Sequence, residues 1–243
     1  MNLLTILPFC NADLHLARRL LDWTLEIDGR QDRDLLLVWD KKVSADDAAR
    51  VVERAKRVFT NVVKAATPWS MPDETWPRGA NWMFETALKT ASAFNRPVLW
   101  LEPDCLWLKP GAINQIEQDY EKSGAAYMGM VYKVGHSGLP EKVMSGIGVY
   151  PSDAWKRLSL RLQQARMKTA FDVAIADLVV PQAANTKLVW HFFGEHGLPP
   201  TFVRKREATS PKNALEMKVI PKLAVVAHRC KDNSLLEILR SSL

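Results

Sequence analysis

Short apolar runs alternate along the chain with stretches whose apolar positions recur at helical spacing. Leu3 to Phe9 is an apolar run closed by Pro8 and by the polar residues Asn11 and Asp13, the pattern of a buried strand. Between Asp13 and Ile27, Leu14, Ala17, Leu20, Leu21, Thr24 and Leu25 fall on one face of a helix, with Asp13 near its N-terminus and Gly29 after its end. Leu35 to Trp39, bounded by Asp34 and Asp40, reads as a second strand. Ser44 then supplies an N-cap, Asp46 and Asp47 an acidic first turn, and Val51, Val52, Ala55 and Val58 a buried stripe. Asn61 to Ala66 is the third strand, and the alternation predicts an α/β domain with a mainly parallel sheet.

Residues 67–80, rich in Pro, Trp and Gly, read as a loop, followed by a helix from Asn81 to Phe94. Val98 to Leu101 is a hydrophobic strand that runs straight into Glu102 and Asp104, before a second apolar patch at Leu106 to Leu108. Charge at the end of a buried strand is informative, because open α/β sheets bind ligands outside the carboxyl ends of their strands. Further on, the pattern predicts a helix over Ile113 to Lys122 and strands over Ala125 to Tyr132 and Gly146 to Tyr150. Ser152 or Asp153 caps a helix through Trp155 to Lys168, and Ala170 to Val180 is again helical. After a less regular stretch from Lys187, Leu223 to Ala227 is the last strand and Asn233 to Leu239 the last helix. There is no internal repeat.

Composition narrows the classes. With 243 residues, 47% of them hydrophobic and 25% charged, the chain has enough apolar surface for one sizeable core, which excludes disorder as its dominant state. The apolar runs fall far short of the roughly 18 residues needed to span a bilayer. No basic segment precedes Leu3 to Phe9, so no cleaved signal peptide is expected and the predicted location is the cytoplasm. Cys10, Cys105 and Cys230 are spaced too widely for a zinc pattern and read as reduced, mostly buried thiols. Lys and Arg number 33 against 27 Asp and Glu, and this balance of +6 favours an anionic partner.

Two carboxylates one residue apart at a strand end can hold a divalent cation, because a turn brings their oxygens together and hard cations take oxygen ligands. Glu102 and Asp104 meet that requirement. The order Arg78, Gly79, Ala80, Asn81, a helix, the strand Val98 to Leu101 and then Glu102, Pro103, Asp104 resembles the Rossmann-like GT-A fold of nucleotide-sugar-dependent glycosyltransferases. In that family an Asp-x-Asp motif ends a central strand and coordinates Mn²⁺ or Mg²⁺ on the diphosphate of the donor; here Glu102 replaces the first Asp. The resemblance makes Arg78, Asn81, Ser145 and Gly146 donor-binding residues and likens Met144, Ser145, Gly146, Ile147, Gly148 to the small-residue strand that lines the sugar-acceptor pocket, where glycines let the backbone approach a ligand. It makes His228 a third metal ligand and Lys231 a contact to the diphosphate. Asp172 stands where the family places an acidic residue that meets the acceptor, with Asp177 as a competitor. His191 and His196 flank Phe192 and Phe193 nearby.

The expectation is therefore one glycosyltransferase domain, with a donor half over about 1–110 and an acceptor half over about 111–243. It moves a sugar from a nucleoside diphosphate sugar, a UDP-sugar for example, to a hydroxyl. Arg204, Lys205, Arg206, Lys212, Lys218 and Lys222 stand against only Glu207 and Glu216 in their segment, and Trp69 and Trp76 lie in the loop. Cations neutralise phosphates and aromatics stack on extruded bases, so DNA is the expected acceptor partner. In this respect the chain resembles bacteriophage enzymes of DNA modification that glycosylate hydroxymethyl pyrimidines. The alternatives are a cell-envelope transferase with a lipid-linked or saccharide acceptor, and a non-catalytic DNA-binding module.

Overall fold

The computed structural model describes residues 2–68, 77–134, 139–165, 168–191 and 222–241. Strands β1 (Leu4–Phe9), β2 (Gln31–Trp39) and β3 (Phe59–Ala66) pair in parallel, connected by helices α1 (Leu14–Asp28) and α2 (Ala45–Val58). Helix α3 (Arg78–Ala91) returns the chain to β4 (Val98–Trp100), parallel to β1 on its other side. There follow β5 (Leu106–Trp107), α4 (Ala112–Ser123), β6 (Tyr127–Lys133), β7 (Lys142–Tyr150) and α5 (Ala154–Ala165). The short helices α6 (Phe171–Ala174) and α7 (Ala176–Val179) lead to β8 (Ala183–Asn185), β9 (Val189–His191), β10 (Val226–His228) and a last helix, Ser234–Ser241.

The main sheet has seven strands in the order β3-β2-β1-β4-β7-β6-β8. It is mainly parallel, as the alternating pattern predicts, but β7 runs antiparallel to both β4 and β6. Every residue of β1 is buried, because both faces of the sheet are covered. One face packs against Phe84, Leu88, Leu158, Phe171 and Ile175 from α3, α5 and α6 with the residue that follows it; the other packs against Leu20, Leu21, Val51, Ile113 and Ile116 from α1, α2 and α4. The predicted cap at Ser44 is present, its hydroxyl accepting from the Asp47 N–H at 3.1 Å. Asp13 caps nothing with its side chain and instead accepts from the Cys10 thiol at 3.2 Å.

A second sheet, β5-β10-β9, was not legible in the sequence. The last strand starts three residues later than the apolar run and ends one residue beyond it: Leu223 is exposed, and the strand runs on to include His228. β10 pairs antiparallel with β5, with Val226 opposite Trp107 and Ala227 opposite Leu106. Beneath it, Trp23 Nε1 donates to the Trp107 carbonyl at 2.8 Å and Trp107 Nε1 donates to Thr24 Oγ1 at 2.9 Å. Two buried indoles thus anchor β5 to α1. Helix α3 starts at Arg78, three residues before the predicted start at Asn81, so Asn81 lies inside its first turn. The helical stretch before Pro181 breaks at Ile175 into α6 and α7.

Candidate active site

The order of strands reverses about β1, whose two neighbours β2 and β4 lead the chain to opposite sides, and a crevice opens at such a point beyond the carboxyl ends of the strands. Glu102 and Asp104 stand there, immediately after β4. The turn that carries them is closed by the Cys105 N–H donating to the Glu102 carbonyl at 3.0 Å, with Pro103 at the position where its fixed φ suits a β-turn. The pairing of β10 with β5 brings a second turn alongside, and the Cys230 N–H donates to the Asp104 carbonyl at 2.8 Å. Backbone alone therefore joins two segments separated by more than a hundred residues.

The side chains converge on one point. Nε2 of His228 lies 2.7 Å from Glu102 Oε2 and 3.3 Å from Asp104 Oδ1, and Lys231 Nζ lies 2.6 Å from Asp104 Oδ2. One ligand atom from each of Glu102, Asp104 and His228 falls within 4.8 Å of the others. Burial alone would push the imidazole towards neutrality, but Glu102 and Asp104 outweigh it and raise His228 to about 9. Asp104 is also buried, which opposes ionisation, yet His228 and Lys231 hold its carboxyl well below the usual range. Buried Asp104 and His228 thus sit between the more exposed Glu102 and Lys231. Two carboxylates and an imidazole are a donor set that Mn²⁺ or Mg²⁺ accepts once the cation displaces the imidazolium proton, and Asp104 Oδ1 is buried without completing a hydrogen bond, so the residues fit a divalent cation.

Gly146 sits under this cluster. A Cβ at that position would come 2.7 Å from Glu102 Oε1 and 3.0 Å from Phe171 Cζ. The glycine expected to admit a ligand therefore makes room first for the carboxylate of Glu102. Gly148 has a different reason: a Cβ there would meet the Met128 carbonyl of β6 at 2.7 Å. We expect Gly146→Ala to weaken Mn²⁺ binding about tenfold in calorimetry with a small loss of melting temperature, because the flexible Glu102 tip yields. Gly148→Ala should instead lower stability by about 2 kcal/mol, because backbone must move. Equal metal affinity in Gly146→Ala and the unchanged protein would refute the first expectation.

Asp172 lies at the start of α6, beside β7, with its Oδ1 accepting from the Val173 N–H at 2.9 Å. Burial pushes its carboxyl up to about 6, and the charge of Glu102 adds to the shift. Its sequence competitor Asp177 is exposed and paired with Arg161 at 2.7 Å. Tyr132, near the end of β6, is exposed, and partial burial followed by the charge of Asp172 raises its hydroxyl above the ordinary value.

The other predicted donor residues lie less centrally. Asn81 is buried and its Nδ2 donates to the Thr169 carbonyl at 2.8 Å, which ties α3 to the segment leading into Asp172. Arg78 is partly exposed at the start of α3. The Ser145 hydroxyl donates to the Ile147 carbonyl at 2.9 Å. His191 pairs in register with His228 through the backbone. Arg204, Lys205, Arg206, Trp69, Trp76 and His196 lie outside the described residues. Cys105 and Cys230 are buried, as expected, and Cys10 is half-buried; none of the three forms a disulfide.

The mixed sheet flanked by helices, with an acidic turn after its central strand, is the GT-A fold of glycosyltransferases. No protein-family model matches the chain, and no curated protein does. Solved structures do match. The galactosyltransferase LgtC, in complex with donor and acceptor sugar analogues, superposes with a TM-score of 0.59 and 11% identity over 98% of this chain and 95% of that one. The bifunctional glycosyltransferase WbbM gives 0.60 and 10% identity over 96% of this chain, which spans 46% of WbbM. Mouse xyloside xylosyltransferase 1 gives 0.54 and 12% identity over 96% of this chain and 99% of that one. Among the described residues no helix is long and apolar enough to cross a membrane.

Proposed function

We propose that this chain is a divalent-metal-dependent glycosyltransferase that moves a sugar from a nucleoside diphosphate sugar to a hydroxyl. The observation that carries the reading is the convergence of Glu102, Asp104 and His228 beyond the central strand of a GT-A fold. Those three residues would hold Mn²⁺ or Mg²⁺, which when bound supplies positive charge for a leaving diphosphate. Lys231, 63% exposed along its side chain, can keep its stem in place and turn its ammonium from Asp104 to a phosphate oxygen. In an inverting transfer, Asp172 takes the proton of the acceptor hydroxyl; with its pKa near 6 it is mostly ionised at neutral pH and still basic enough to serve. Arg78 and Asn81 would flank the donor from α3.

For the acceptor, the acceptor sugar analogue of LgtC and the xyloside of the mouse enzyme support a saccharide hydroxyl. A hydroxymethyl pyrimidine in DNA is supported by the basic segment that contains Arg204, Lys205 and Arg206 and by the indole side chains of Trp69 and Trp76 in the sequence. One assay separates the two. Nucleotide release from a panel of UDP-sugars is followed with Mn²⁺, alone and with simple glycosides or hydroxymethylated DNA. We expect release that EDTA abolishes and that one acceptor class accelerates. Release insensitive to EDTA overturns the metal-dependent reading.

A further inference from the structure

The turn that carries Lys231 is not held by its own strand. After His228 the backbone enters the left-handed region at Arg229, with φ 69°, one of only two non-glycine residues among the described ones to do so. A residue with a Cβ disfavours that conformation, so something outside the turn must keep it. The Lys231 N–H donating to the Arg229 carbonyl at 3.0 Å is local and contributes little towards fixing the turn in space. On one side the turn is fixed by the Cys230 N–H donating to the Asp104 carbonyl. On the other side stands Arg19 of α1: its guanidinium donates through one terminal nitrogen to the Cys230 carbonyl and through the other to the Asp232 carbonyl.

These two carbonyls bracket Lys231. A planar fork that binds both fixes the separation and direction of the peptide groups on either side of that residue, which a single hydrogen bond cannot do. Arg19 is half-buried in α1, whose neighbouring residues Leu16, Ala17, Leu20 and Trp23 are locked in the core, so the fork is aimed by a rigid element. Nothing places Arg19 at the reacting atoms. We infer that Arg19 is a positioning residue that sets the Cys230–Asp232 turn so that the ammonium of Lys231 stands at Asp104, and that it acts on the site through Lys231. The inference rests on the glycosyltransferase reading only for its consequence in nucleotide binding.

Two measurements test it separately. Amide exchange of Arg19→Ala, followed by NMR, should show the Cys230 N–H exchanging at least tenfold faster, with the Gly29 N–H at the end of α1 unchanged. Should the alanine variant fail to fold, Arg19→Lys keeps the stem and charge but cannot form the fork, and the same amide should exchange severalfold faster in it. Unaltered Cys230 exchange in a folded variant overturns the inference. Binding of UDP in the presence of Mn²⁺ then reads the consequence. Arg19→Ala should weaken it about tenfold in the parent protein but less than twofold in a Lys231→Ala background, and Arg19→Lys should restore part of the loss. An equal loss in both backgrounds overturns action through Lys231. A parent protein that binds no UDP overturns the proposed function, and amide exchange then decides the positioning role by itself.

Discussion

Asp104→Ala is expected to reduce sugar transfer at least about 1000-fold, equivalent to roughly 4 kcal/mol of transition-state stabilisation. Asp104 contacts both His228 and Lys231 and is almost fully buried, so no water-exposed carboxylate can substitute for it. Its removal should also cost stability. The two cations keep Asp104 ionised in the folded protein at pH values where the unfolded chain is protonated, so its contribution is full above about pH 4 and fades as pH falls below that. Breaking such a buried group of charges costs about 3 kcal/mol, which the remaining His228–Glu102 pair reduces. Asp104→Asn keeps the shape and should retain most of the fold while losing the same activity. His228, deprived of one of its two carboxylates, should titrate below its value of about 9 in that variant, as NMR of the imidazole can follow. Transfer by the unmodified protein that survives EDTA, or an active Asp104→Asn protein, would refute the assignment.

The features legible in the sequence are those with a strong local cause. Continuous apolar runs gave β1, β2 and β4 because a strand buried on both faces needs no alternation, and the charge after β4 gave the acidic turn. Ser44 marked its helix through a cap that depends on three neighbouring residues. What stayed hidden depends on partners far along the chain. The strand β7 begins at Lys142, but its exposed first residue and small Ser145 and Gly146 blur the apolar signal there. The β5-β10-β9 sheet consists of pieces of two or three residues, each too short to carry a period. Glu102 and Asp104 were paired by their spacing at a strand end, whereas His228 was joined to them only by a family resemblance. Gly146 could be seen as a close-approach position, while the approaching group, Glu102, could not. Arg19 carried no signal, since a cation on the half-exposed side of an amphipathic helix looks like any solvated charge until the turn it grips is known.

Asp172→Asn is expected to move activity and stability in opposite directions, an outcome that a merely structural carboxylate would not produce. The packing of α6 against β7 and the charge of Glu102 raise the Asp172 carboxyl from an ordinary value of 3.8 to about 6. Between these two values the folded protein holds a proton that the unfolded chain has released, so stability falls as pH rises through the window. Above pH 6 the ionised carboxylate costs on the order of 2 kcal/mol, allowing for its partial exposure to water. Asparagine removes that cost and can still accept from the Val173 N–H. The variant should therefore melt about 4 °C higher at pH 7.5, and the difference should shrink as pH falls through the window and vanish below about pH 3, where aspartate is protonated in both states. Transfer should fall about 100-fold or more, because the amide cannot take a proton from an acceptor hydroxyl. In the parent protein kcat/KM should decline tenfold per pH unit below about 6, as the base becomes protonated. Full activity in Asp172→Asn would remove it from the chemistry, and a melting difference independent of pH would show that its raised pKa is not the source of the gain.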